Sequence, residues 1–302
     1  MKLKKIVLII SLPIYAMACI WIDGTTIHGT HEYQKATQMM FQASLNETPK
    51  DKLKYYYRSD EYKKLQGIQK QEVDAVKLLL EGNTTQAIEI LKEVEAQSSH
   101  YSVASNLGTA YELNGDNKNA LIWIREGIKR NPESHYGTEW LHALILQAKI
   151  TLENNASYLK TNRIISLSSD FKNNRTITID GKKYTLQEIT KALNYQLQER
   201  MVFIKPKNIV VADLLYSYAI ITAHQSTLEE ALYLLKLSHE YGFANPKLLS
   251  QTQQKYQEIL DNPSIWYYLK YLTENPQMLL IVVVILILIE LYRKQRKKNE
   301  IE

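Results

Sequence analysis

The chain has 302 residues, 45% hydrophobic and 23% charged, which is ordinary globular chemistry and enough material for one large or two ordinary domains. Its net charge of +5 is not spread over a surface: three lysines before residue 6 and five cations between 293 and 298 carry the excess, while residues 20–275 hold 29 basic and 29 acidic side chains. A balanced body argues against a nucleic-acid partner, and Cys19, the single cysteine, rules out an internal disulfide.

Lys2, Lys4 and Lys5 precede an apolar run, Ile6 to Leu12, and then Ala16-Met17-Ala18. Charged start, short apolar middle and small residues at the cut describe a secretory signal over residues 1–18. Ala18-Cys19 reads in two ways: as a lipoprotein junction with Cys19 acylated, or as an ordinary cleavage or uncleaved anchor beside an incidental cysteine. The apolar stretch Ile20 to Thr26 is expected to dock on the body. His28 and His31 stand three apart, but with no further ligand pattern nearby they read as exposed polar residues rather than a metal site. Residues 50–66 hold Tyr55, Tyr56, Tyr57 and Tyr62 among charges and read as a half-buried capping helix, with Tyr55 and Tyr62 on one face, within an N-terminal segment 19–66.

From residue 67 to 153 small residues recur at a fixed interval. Ala75, Leu78, Ala87, Leu91 and Val94 lie around a turn at Glu81-Gly82-Asn83; Gly108, Tyr111, Ala120, Ile124 and Gly127 lie around a turn at Asn114-Gly115-Asp116. Pro132 stops the second unit, and Tyr136 to Leu152 continues the helical period as the first arm of a third hairpin. The segment 154–185 breaks the pattern, and Arg175 to Thr185 alternates around Asp180-Gly181, a β-hairpin signal. Over 186–262 helical periods return: Leu186 to Phe203, then Ile209 to Leu237 with Ala219, Thr222, Ala231, Leu235 and Ser238 in the spacing of the earlier units, and a closing helix from Lys247 to Leu260.

Residues 263–274 concentrate Trp266, Tyr267, Tyr268 and Tyr271, a composition suited to a membrane interface. Met278 to Ile289 is unbroken Met, Leu, Ile and Val, and counting from Asn275 to Tyr292 reaches spanning length with Glu290 snorkelling to the headgroups. The basic run in 293–302 follows at once and belongs in the cytoplasm under the positive-inside rule. Signal and span then agree: both place residues 20–275 outside the cytoplasmic membrane.

The stretch Tyr101 to Pro132, with Leu107, Gly108, Tyr111, Ala120 and Pro132 in their positions, resembles a tetratricopeptide (TPR) repeat. The opening Cys19-Ile20-Trp21-Ile22-Asp23 and the string Tyr195 to Leu215 are similar to a group of uncharacterised bacterial envelope TPR proteins. The expected fold is therefore mainly α: a TPR-like solenoid of helical hairpins with a small β-hairpin insertion and one C-terminal transmembrane helix. The resemblance implies a concave groove that binds a peptide or helix, lined by Ser102, Ser105, Thr109 and Glu112 in the better repeat and by Asp213, Tyr216, Ile220 and Ala223 in the later one. These lack the cations that grip a carboxylate terminus. No phosphate loop, nucleophile elbow or zinc spacing is present, so no catalytic, cofactor or metal residues are expected. The leading expectation is a membrane-anchored scaffold that recruits other envelope proteins; the alternative is an envelope peptide- or sugar-binding protein with an aromatic-lined pocket.

Overall fold

A computed structural model describes residues 23–33, 47–167 and 176–299. The signal segment, Cys19 and Ile20 to Ile22 lie outside them. The described residues form fourteen α-helices and two two-stranded antiparallel sheets.

Strands β1 (Asp23–Thr25) and β2 (His31–Tyr33) form the first hairpin. Helices α1 (Pro49–Arg58) and α2 (Asp60–Lys63) follow, separated at Ser59, whose extended backbone breaks the single tyrosine helix expected over 50–66. The aromatic cluster survives the break, since the Tyr55 and Tyr62 rings still meet edge to face at 6.0 Å.

The next four helices are two equivalent hairpins: α3 (Gly67–Glu81) with α4 (Thr84–Gln97), and α5 (Tyr101–Leu113) with α6 (Asn117–Arg130). Their turns repeat in backbone detail. Gly82 and Gly115 both adopt the left-handed conformation, with φ of 86° and 85°, which a Cβ would oppose. The amide of Asn83 bonds to the Leu78 carbonyl at 2.8 Å, and that of Asp116 to Tyr111 at 2.9 Å. At the helix contacts Ala75 and Gly108, Ala87 and Ala120, Leu91 and Ile124, and Val94 and Gly127 occupy matching buried positions. Gly108 is small by necessity, because a Cβ there would lie 2.5 Å from Ile124 Cδ1.

Helix α7 (Glu139–Asn154) packs on α6 but begins later than the pattern suggested. His135 and Tyr136 take positive φ in a 3₁₀ turn, Ser134–Gly137, so Tyr136 precedes the helix instead of opening it. A single turn of helix, α8 (Tyr158–Thr161), is followed by the expected hairpin β3 (Thr176–Ile179) and β4 (Lys182–Thr185). Asp180 and Gly181 turn it, both with positive φ, as a type I′ turn requires. Strand β4 runs straight into α9 (Leu186–Phe203): Thr185 Oγ1 accepts from the Glu188 amide, and the Glu188 carboxylate accepts from the Thr185 amide.

Helices α10 (Ile209–Gln225) and α11 (Leu228–Glu240) form a further hairpin, with Ala219, Ala231, Leu235 and Ser238 fully buried at the spacing of the earlier units. Helix α12 (Pro246–Asp261) packs on α11, α13 (Ile265–Glu274) contacts β2, and α14 (Pro276–Asn299) closes the described chain. Helix α14 continues through the basic run instead of ending near Tyr292, and Lys294 pairs with Glu290 at 3.7 Å on the same helix. Residues Pro276–Arg296 have a mean hydropathy of 2.1 with none of that surface buried.

Candidate functional site

On the repeat face expected to form a groove, the chain meets itself. Glu112, on the last turn of α5, is buried. Its Oε2 accepts from His142 Nε2 at 2.7 Å, and its Oε1 accepts from Lys149 at 3.0 Å and from Arg200 at 2.6 Å. His142 and Lys149 come from α7, and Arg200 comes from α9, 88 residues along the chain. Helix α9 is thus held against the face of α5 and α7. Glu139, one turn before His142, accepts from His135 and stands 3.5 Å from His142 Nδ1. The His135 ring stacks on Tyr195 of α9 at 5.3 Å, and Lys52 of α1 reaches Glu199 of α9 at 3.3 Å.

The electrostatics follow from this geometry. Burial by itself would raise the Glu112 carboxyl, but Arg200, His142 and Lys149 outweigh it and hold the group well below the carboxylate range. Glu139 is likewise opposed by burial and held down at about 2 by His135 and His142. Burial and the Arg200 charge work against protonation of His142, yet with a carboxylate at each ring nitrogen its pKa is raised. The ensemble is an ionised, interlocked joint. Removing one member leaves the others charged and buried, the costly way to break such a cluster.

This placement corrects part of the expected groove. Glu112 has both oxygens engaged within the chain, and Ser105 is buried. Ser102 and Thr109, half-buried on α5, are what remains of that face. In the later hairpin Asp213, Tyr216 and Ala223 are buried and only Ile220 keeps partial access. Asp213 is fully buried, accepting from Arg163 at 3.0 Å and the Ile164 amide at 2.9 Å. Burial pushes its carboxyl up to about 6 against those two donors. The Tyr216 ring stacks on Phe243 at 4.4 Å with the Arg163 guanidinium over it, and its hydroxyl meets Thr252 at 3.0 Å. Ala223 is buried and Ile220 packs against the same core. The physical reason lies in the helix itself: α10, IVVADLLYSYAIITAHQ, is apolar nearly all round, and such a helix is a core helix.

Other rings are also turned inward. Trp140 stacks on Tyr184 at 4.2 Å, packing α7 against the β3–β4 hairpin and leaving the pair engaged with each other. His28 is exposed as expected, whereas His31, expected on the surface, is completely buried. Its Nδ1 lies 2.7 Å from Glu274 and its Nε2 3.1 Å from Asp23. Among the described residues no group of three or more His, Cys, Asp or Glu is arranged to hold a metal ion. Sequence reasoning did not find Arg200 and placed His31 on the surface, because Glu112 and Glu274, the carboxylates they meet, lie 88 and 243 residues away; the one available signal was Glu112, the single charged side chain of an otherwise uncharged repeat helix.

Compared with known proteins, the chain finds no counterpart: no family model matches it, and neither a curated protein nor a solved structure does.

Proposed function

We propose that this chain is a membrane-tethered helical-repeat scaffold of the tetratricopeptide kind, held by α14 on the outer side of a bacterial cytoplasmic membrane and recruiting other envelope proteins. The observation that carries the proposal is the recurrence of one hairpin geometry at a fixed interval, with matched glycine turns and matched small residues between helices. Arrays of that kind present extended surfaces and act by binding. The apolar, unburied α14 with its basic end supports the tether and its orientation. The recruiting surface in this reading is the α3–α5 face around the half-buried Ser102 and Thr109, where Asn106 of α5 bonds to Glu72 of α3 at 3.0 Å.

A photo-crosslinking residue placed at 102 or 109 in native membranes should give discrete protein adducts that are absent when it is placed at 129, on α6. Equal labelling at all three positions, or none at any, overturns the scaffold reading.

A further inference from the structure

Helix α13 has two unlike edges. One edge grips the β1–β2 hairpin: Glu274 holds His31, Lys270 reaches Glu32 at 3.3 Å, and the Tyr267 and Tyr271 rings close on the His31 ring at 5.6 and 5.2 Å. The amide of Ser264, just before the helix, bonds to the Gly29 carbonyl at 3.0 Å. The hairpin is fastened to the body as well, because the Thr25 amide and hydroxyl both donate to Glu229 of α11, at 2.8 and 2.9 Å. The other edge of α13 carries Ile265, Trp266 and Leu269, spaced three and four apart on one helical face and exposed, the first two at 66% each. Only Asn275 separates α13 from α14, and its non-helical backbone (φ −121°, ψ 76°) turns the chain between the two helices.

We infer that the exposed edge of α13 is a lipid contact: Ile265, Trp266 and Leu269 rest among the headgroups of the bilayer that α14 crosses, and the β1–β2 hairpin, clamped on the opposite edge, sets how the helical body stands on that surface. The inference rests on the reading of α14 as a span. Three observations favour lipid as the occupant. A helix one residue from the start of a span begins in the interfacial layer, several ångströms deep on each side of a hydrocarbon core of about 30 Å, and Ile265 and Trp266 at its far end reach that layer when α13 lies along the surface. Trp and Tyr beside aliphatic residues are the side chains that reside at that depth. The charged groups of α13, Lys270 and Glu274, lie on the other edge, where they bind the hairpin. The same arrangement starts the described body at the membrane. Asp23 is bonded to the histidine that Glu274 holds, and Cys19 is four residues earlier, a reach of at most about 14 Å. An acyl chain on Cys19 and the helix α14 would then enter the same leaflet.

The test uses the full chain in native membranes with a photo-reactive phenylalanine analogue at 266, at 284 within α14, or at 122 on the exposed face of α6. Lipid adducts at 266 and 284, each at least tenfold above 122, are expected. Polypeptide adducts at 266 with lipid adducts at 284 overturn the inference and leave the span standing. A lack of lipid adducts at 284 overturns the span, and the inference falls with it. The clamp is read separately, from the distance distribution between spin labels attached through azido residues at 129 and 273. His31→Ala should broaden it at least twofold while far-ultraviolet circular dichroism stays unchanged, and a distribution as narrow as that of the parent chain would show that the hairpin does not set the orientation.

Discussion

The hairpins α5–α6 and α10–α11 carry small residues at the same spacing and stand in opposite surroundings. Gly108 and Ala219, Ala120 and Ala231, and Gly127 and Ser238 are all buried where one helix crosses the other. Around α5 the polar side chains Ser102, Asn106 and Thr109 keep partial access, while Ser105 and, at its end, Glu112 are covered. Around α10 most of the surface is closed, by α7, α9, α11 and the strap at Arg163 and Ile164, with Phe243 and α12 over Tyr216. The lesson is that the spacing of small residues decides how two helices meet but says nothing about what covers the remaining faces. A repeat helix and a core helix can share one contact pattern.

That comparison can be broken most directly at the joint. Arg200→Ala leaves Glu112 buried and short of its strongest partner, and should cost about 3–5 kcal/mol in urea unfolding. The pair Glu112→Leu with Arg200→Met should cost clearly less than the sum of the two single changes. A loss below about 1 kcal/mol for Arg200→Ala would mean that α9 does not depend on the repeat face.

Next in size are matched truncations. Leu91 and Leu235 occupy the same repeat position and are both fully buried, so each change to Ala should cost about 2–5 kcal/mol. Leu235→Ala is expected at the upper end, because α11 packs against α10, whose enclosed surroundings can collapse less around the void. Denaturant midpoints for the two variants would settle the order, and equal losses would show that the wrapping adds nothing at this position.

Gly108→Ala probes the close approach itself. The new methyl group meets Ile124, so a loss of about 1–3 kcal/mol is expected, largely restored by adding Ile124→Val. Ala219 shows that the corresponding site in the later hairpin has room for that methyl group.

The smallest effect is a pH dependence. Because the folded pKa of His142 is raised above 6.5, the stability it adds is fully present below pH 6.5 and is lost as pH rises through the raised value. Glu139 runs the other way: its contribution is present above pH 4.5 and is lost as pH falls toward about 2. The melting-temperature gap between the parent chain and His142→Gln should therefore be wider at pH 6 than at pH 9. A gap that does not change over that range would place the proton elsewhere.

Much of the helical framework could be read from residue order because its causes are local. Gly82 and Gly115 announce turns, Asp180-Gly181 announces a hairpin, and the cap Thr185 to Glu188 starts α9 where the periodicity does. The candidate site was legible only in part. Glu112 stood out as a carboxylate on a repeat face, but its destination depends on Arg200, far away in sequence and on a helix whose own pattern records only the side that packs on α10. His31 looked like a surface histidine because Glu274, the group that holds it, belongs to the opposite end of the chain.

By itself, the order of residues determined which stretches are helical, which small side chains let them cross, and that an apolar helix runs into a basic segment after residue 275; each of these follows from backbone preference and periodicity within a few turns, whereas the boundaries at Ser59, Tyr136 and Tyr292 did not. Tertiary structure alone decided which helix faces stay open, that α9 lies on the repeat face, and that β1 and β2 brace α13. Those outcomes turn on the burial and pairing of Glu112, Asp213 and His31 with residues 88, 50 and 243 positions away, over distances at which no local spacing rule operates.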